Sequence, residues 1–433
     1  MILHADPAVQ LLLDRAAIRD VNLRYARCVD LCDFDGVAAC FTPDVSGDFA
    51  GAWRPNRDEL VEFISGVVTF HTTMHMMGNH FIEVDGDLAR LESLAMLTHH
   101  GTKKDGGEWQ LNNSNSLYVE ELVRGPDGWA IQRRGGEPAW SPNGVGPAKS
   151  ADPAVDWLLD RARLQDAIHH YALAVDRRDY AAVDACFAPE FAARYYGERE
   201  IRDTREHIDY VRGVEQFEST THFFGTPLLH LDGDEALVEA LAYNTRREAR
   251  EGKKPRDHML GGTWYRDRWK RHGDTWRIVD RELDRSLSER RARVQPEFET
   301  DDPDVRTLLD RSEISDLVSL TGRSLDHRDF DILADCFAPS SERDDFVARQ
   351  ASELTKWERA RHLVGNPLLA VDGDTARAES YVYRTHHDTP DDPASRWSDG
   401  ALRWVDDFVR GPEGWRIARR EVASNHRLPP PRV

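Results

Sequence analysis

Ile18, Val21, Tyr25 and Val29 recur at steps of three and four, which is the spacing of one apolar face of an amphipathic helix. Asp6-Pro7 suits the start of that helix, with the acid as N-cap and the proline at the first helical position. The pattern predicts a short second helix from Phe34 to Phe41 and a third from Arg57 to Val67. The period then changes. Phe81–Val84 and Ala89–Thr98 flank Asp85-Gly86-Asp87 and read as a hairpin; Ser116–Val123 and Trp129–Arg133, either side of Gly125-Pro126-Asp127-Gly128, read as another. Helices first and hairpins afterwards is an α+β order. A curved antiparallel sheet wrapped over N-terminal helices leaves a cone whose mouth can hold one small apolar ligand.

The same script is then written twice more. Asp6–Arg15 recurs as Asp152–Arg161 and Asp302–Arg311, at offsets of 146 and 150 residues. Ala39-Cys40-Phe41 matches Ala185-Cys186-Phe187 and Asp335-Cys336-Phe337. Asp85-Gly86-Asp87 matches Asp232-Gly233-Asp234 and Asp372-Gly373-Asp374, and Gly128-Trp129 matches Thr275-Trp276 and Gly414-Trp415. The period is far beyond the 20–50 residues of solenoid repeats, so each copy is a whole domain. The expected units are residues 1–140, 151–287 and 301–426. They are joined by the Pro/Gly-rich stretch Ser141–Pro147 and the charged stretch Ser288–Asp302, and followed by the tail Leu428–Val433.

Charge narrows the range of functions. Lys and Arg number 57 against 77 Asp and Glu, a net charge of −20. That balance repels phosphate backbones and anionic membranes, so neither a nucleic acid nor a membrane is expected as a partner. No apolar run is long enough to span a bilayer, and the first residues lack the basic and apolar regions of a signal peptide. Five cysteines without zinc-type spacing read as reduced thiols, and the expected location is the cytoplasm.

The repeated elements resemble the SnoaL-like branch of the nuclear transport factor 2 superfamily. The resemblance rests on the Leu-Leu-Asp-Arg opening helix, the Tyr and Asp five residues apart, Cys-Phe-x-Pro, the His before a Gly-(Asn/Thr) step, Asp-Gly-Asp, Gly-Gly-x-x-Tyr and the final Gly-Trp-x-Ile strand. It covers almost the whole chain in three copies. Within the family the motifs are most similar to the His–Asp dehydrochlorinases and dehydratases. Such relatives usually assemble as trimers, so the resemblance implies three cone-shaped units around an intrachain pseudo-threefold axis, with further self-association of the whole chain left open.

The resemblance also implies a site. In the first copy it falls on Tyr25, Asp30 and His75, and in the second on Tyr171, Asp176 and His222. The third copy keeps Asp326 and His362 but has Thr321 at the tyrosine position, and Phe337 to His362 is 25 steps against 34 from Phe41 to His75. It is expected to be a shortened, degenerate unit. The tyrosine and aspartate are about 500° apart on a helix and so do not share a face.

An imidazole near neutrality takes or returns a proton. A carboxylate beside it fixes the tautomer, and a phenol stabilises charge on an oxygen. Together they suit a cofactor-independent lyase, a dehydratase or dehydrohalogenase, acting on a hydrophobic cyclic small molecule. An isomerase or cyclase using the same base is the alternative, and a non-catalytic small-molecule-binding pseudo-trimer is another. No metal or cofactor is expected, although His71, His75, His80, His99 and His100 cluster in sequence. Met74 and Met77 are candidates to line the substrate pocket, against the plainer reading of Met74, Met76, Met77 and Met96 as core filling. Arg134 and Arg281, with Arg420, are candidates to meet a substrate oxygen or to anchor the sheet end to an acid.

Overall fold

The computed structural model describes residues 3–49, 52–70, 72–101, 110–135, 145, 148–197, 199–248, 256–284, 298–388 and 397–424. The linker Ser141–Pro147 apart from Val145, residues 288–297 of the second joint, the tail Leu428–Val433 and His71 lie outside them.

The first unit runs α1 (Pro7–Leu31), α2 (Phe34–Ala39), β1 (Phe41–Phe49), β2 (Ala52–Arg54), α3 (Arg57–Ser65), β3 (Thr72–Asp85), β4 (Leu88–Gly101), β5 (Gln110–Gly125) and β6 (Gly128–Arg134). The second runs α4 (Pro153–Asp176), α5 (Tyr180–Ala185), β7 (Phe187–Tyr195), β8 (Arg199–Ile201), α6 (Thr204–Val211), β9 (Ser219–Phe224), β10 (Leu228–Asp232), β11 (Glu235–Glu248), β12 (Arg256–His272) and β13 (Thr275–Asp284). The third runs α7 (Pro303–His327), α8 (Phe330–Asp335), α9 (Ser341–Leu354), β14 (Arg359–Val364), β15 (Leu368–Asp372), β16 (Thr375–His387), β17 (Trp397–Gly411) and β18 (Gly414–Ser424). The α+β architecture of three repeated units, each an opening helix against a curved sheet, is the one expected. No helix among the described residues is long and apolar enough to cross a membrane.

Local chemistry sets the element ends. Asp6, Asp152 and Asp302 each accept a backbone N–H from the first turn of α1, α4 and α7, with proline at the first helical position. The hairpin turns place Gly86 at φ 60°, which a side chain would strain. No disulfide joins any of the five cysteines.

Two features depart from the expected sheet. The sheet is mixed: β1 pairs in parallel with β6, and β7 with β13. The strand after Phe41 is hidden in the sequence because its first half, Phe41-Thr42-Pro43-Asp44, lacks strand alternation. Second, β3 begins at Thr72, far ahead of the Phe81 start that alternation suggests. Residues Thr72–Ile82 are all buried, so both faces of the strand are covered and no period-two signal survives.

The conserved script separates into two jobs. The aspartate of each Leu-Leu-Asp-Arg holds its own sheet: Asp14 takes Arg124, Asp160 takes Arg271 and Asp310 takes Arg410, and each of these arginines also bonds the second aspartate of its Asp-Gly-Asp turn, Asp87, Asp234 or Asp374. The following arginine holds a neighbouring unit. Arg15 pairs with Asp166 at 2.6 Å, Arg161 with Asp316 at 2.6 Å, and Arg311 with Asp20 at 2.7 Å. Three matched bonds running first to second, second to third and third to first close a ring, which requires a pseudo-threefold arrangement. Above the ring, Val9, Leu12, Val155, Leu158, Val305 and Leu308 bury one another at the helix starts. Below it the three sheets meet in a core of Met74, Met76, Phe223, Leu241, Tyr243, Leu363 and Tyr383. The Gly-(Asn/Thr) step lies at this meeting. A Cβ on Gly78 would come within 2.6 Å of the Phe223 ring, and one on Gly225 within 2.9 Å of the Val364 carbonyl oxygen.

The third unit lacks the counterparts of β1–β2 and β7–β8. The 14-residue helix α9 stands in the chain there instead, and only an isolated bridge, Phe337 to Ile417, marks where the parallel strand would have been. Its sheet has five strands.

Candidate active site

Asp30 closes α1 and His75 lies on β3, which packs across that helix end. His75 Nδ1 is 2.6 Å from Asp30 Oδ1, the His75 backbone N–H donates to Asp30 Oδ2 at 2.8 Å, and the Thr73 hydroxyl donates to Oδ1 at 2.8 Å. The second unit repeats this on Asp176, with His222 Nδ1 at 2.6 Å, the His222 N–H at 2.8 Å and the Thr220 hydroxyl at 2.9 Å. Three hydrogen bonds on one carboxylate hold it immobile. For Asp30, burial alone pushes the pKa up, but the charge and hydrogen bonds of His75, with Tyr381 of the third unit beside it, hold it below the usual carboxylate range. An ionised acceptor on Nδ1 assigns the ring proton to that nitrogen and leaves Nε2 as the basic atom.

The tyrosines form a second cluster. The Tyr25 ring lies 3.9 Å from the Arg134 guanidinium carbon and edge-on to Phe41 and Tyr118. Tyr171 repeats this with Arg281 at 4.0 Å, Phe187 and Tyr265. Each arginine pairs with a buried acid, Arg134 with Glu120 and Arg281 with Asp267, so the sheet-anchoring arrangement is the one present. Burial raises the pKa of both Tyr25 and Tyr171 despite the adjacent arginine, which keeps the phenols protonated and able to donate. Tyr118 acts electrostatically on both sides, being raised by burial first and then by Tyr25, with Asp30 also contributing.

The methionines divide by face. Met74 alternates with His75 and so points away from it, into the core between units with Phe223 and Tyr243. Met77 lies on the His75 side, packed with Leu23, Ala26, Ala95 and Leu97. Among the described residues, His75, His80 and His99 do not gather as a set of metal ligands. His99 stacks on Phe70 at 4.7 Å and meets His75 edge-on at 5.4 Å, whereas His80 bonds Asn22 and Asn366.

The third unit keeps only part of the arrangement. His362 Nδ1 is 2.8 Å from Asp326 Oδ1, but Ala360 replaces the threonine and Asp326 Oδ2 has no hydrogen-bond partner among the described residues. Thr321 takes the tyrosine position and accepts from Arg420 at 3.2 Å, while Trp404 lies 3.9 Å over that arginine. The indole stands where Tyr118 and Tyr265 stand in the other units.

Three participants are additional to the sequence reading. Thr73 and Thr220 lock the carboxylates. Tyr118 and Tyr265 face the catalytic candidates' tyrosines. An aromatic residue five positions before each histidine carries the group at the strand position beside the dyad: Phe70 under His99, Phe217 under Arg246 at 4.7 Å, and Trp357 by His386 at 5.3 Å. The fixed spacing Phe70–His75, Phe217–His222, Trp357–His362 was the available signal.

The model of the SnoaL-like domain matches residues 10–135, 156–282 and 306–421. An uncharacterized protein of Mycobacterium tuberculosis, Rv2910c, is 31% identical over 124 residues, which is 28% of this chain and 82% of that protein. Among solved structures, Kfla4162 of Kribbella flavida is similar at 25% identity and a TM-score of 0.26, covering 28% of this chain and 88% of that one. LinA is similar at 17% identity and a TM-score of 0.26, covering 30% and 87%. With its family model matched three times along most of its length, the chain belongs to the SnoaL-like domain family.

Proposed function

We propose that the protein is a cofactor-independent lyase that eliminates water or halide from a hydrophobic cyclic small molecule in its first and second units. The observation that carries this reading is the repeated dyad: two histidines, each bonded through Nδ1 at 2.6 Å to a carboxylate that also receives the histidine's own N–H and a threonine hydroxyl. In the proposed reaction Nε2 of His75 or His222 takes a proton from carbon. The C–H electron pair becomes the new double bond as the leaving group departs with its bonding pair. For a hydroxyl, the imidazolium returns the proton and water leaves. Asp30 or Asp176 stabilises the imidazolium. The protonated phenol of Tyr25 or Tyr171, held over its arginine, donates to oxygen on which charge develops.

The third unit has no such role in this proposal. It lacks the phenol and the threonine, and its Trp404 fills the corresponding interior. It contributes instead the ring bond from Arg311 and the Tyr381 side chain next to Asp30.

The test is turnover of cyclic β-hydroxy and β-halo carbonyl compounds by wild type, His75→Ala, His222→Ala and the double variant. Each single variant is expected to retain the other unit's share and the double to lose at least about 100-fold. Full turnover in the double variant refutes the dyads. Release of water or halide separates elimination from isomerisation, which changes no mass.

A further inference from the structure

The cavity on the pseudo-threefold axis lies apart from both dyads. It measures about 110 Å³ and is lined by Arg15, Arg19, Arg161, Gln165, Arg311 and Ser312, with further apolar and polar wall. Three of these arginines are committed: each pairs with one aspartate and donates to one backbone carbonyl. Arg19 is different. Its matched positions hold Gln165 and Ser315 in the other units, so its charge breaks the threefold balance. Among the described residues no carboxylate lies within ion-pair distance of it, and its Nε is buried without a hydrogen-bond partner. Asp20 and Asp166 attract it only from farther away, having already paired with Arg311 and Arg15. Ser312 Oγ, on α7, is a second buried donor in the same wall without a partner among the described residues. Four guanidiniums thus face three carboxylates. The adjacent His80 and His169 have pKa values pushed down, by burial first and then by Arg19 among others, so they add no compensating charge of either sign.

A guanidinium N–H and a hydroxyl that are buried with no partner each cost stability unless an acceptor meets them. We propose that this axial cavity is an anion site that takes one small tetrahedral oxyanion, inorganic phosphate or sulfate, between Arg19 of α1 and Ser312 of α7. The planar guanidinium fork matches an oxyanion. The volume is well below the roughly 300 Å³ at which drug-sized ligand pockets begin, which excludes nucleotides and similar molecules. The bound anion bridges the first and third units and so stabilises the fused assembly rather than the reaction.

The experiment is calorimetric titration of the full chain with inorganic phosphate, ionic strength held constant with chloride. Wild type is expected to show one saturable site per chain and a melting temperature that rises with phosphate. Arg19→Gln, which installs the residue the second unit already carries, is expected to weaken binding at least tenfold and to abolish the thermal shift. Ser312→Ala is expected to weaken it severalfold. No saturable binding by wild type, or equal affinity in wild type and Arg19→Gln, overturns the site. If Arg19→Gln fails to fold, unchanged affinity in Ser312→Ala overturns it. Acetate serves as the planar anion, and acetate binding as tightly as phosphate refutes the tetrahedral assignment.

Discussion

An aspartate that accepts three hydrogen bonds has little freedom, and that rigidity is what a histidine base needs from its neighbour. Asp30→Asn keeps the shape but removes the charge that favours the Nδ1 proton, so the first unit's turnover is expected to fall about 10²–10⁴-fold with little change in affinity. The check is kinetics in a His222→Ala background, where the first unit's dyad is the one left intact. The same carboxylate sets a pH dependence. Its pKa is held below the unfolded value, so its contribution to stability is present above the ordinary aspartate range and is lost as pH falls through the lower folded value. At this scale the sequence was readable where residues recur: Asp30–His75, Asp176–His222 and Asp326–His362 were paired by matched position and do meet. It was unreadable where the partner comes from another unit. Nothing near Asp30 in sequence points to Tyr381, and the side chains that Met74 packs with, Phe223 and Tyr243, belong to the second unit.

Elements that begin and end cleanly also carry the junctions. The opening helices were legible from Asp-Pro and the three-four spacing, because an N-cap and an apolar stripe are local signals. Strands β1 and β3 were not, because a proline and polar residues open one and burial on both faces removes alternation from the other. The glycines between β3, β9 and β14 give an element-scale prediction. Gly225→Ala places a methyl group 2.9 Å from the Val364 carbonyl oxygen, and backbone yields less readily than a side-chain tip. It is expected to cost about 1–3 kcal/mol in urea unfolding. Asp152→Ala at the start of α4, which loses the bond to the Ala154 N–H, is expected to cost about 1 kcal/mol.

On the scale of the whole molecule, three units share one ring of ion pairs and one central core, so they are expected to unfold together. Asp316→Asn leaves Arg161 buried opposite a neutral amide. Removing one partner of a buried pair costs about 3–5 kcal/mol, and the expected readout is a single shifted transition with no independent melting of one unit. Acid sensitivity follows from buried histidines. Burial lowers His169 to about 4 and His207 to about 3, so the unfolded chain binds more protons below pH 6.5. Stability is therefore present above that value and falls as pH drops toward 4, each group adding a slope of up to about 1.4 kcal/mol per pH unit. Denaturant midpoints between pH 7 and pH 4 measure it.

The proposed chemistry begins with removal of a proton from carbon by His75 and His222, and deuterium wash-in reads that event directly, without need of a leaving group. A hydrophobic cyclic ketone held in D₂O is expected to take up deuterium beside its carbonyl with wild-type protein, and to lose nearly all of that exchange with His75→Ala/His222→Ala. Exchange undiminished in the double variant, or none above the uncatalysed rate with wild type, contradicts the account.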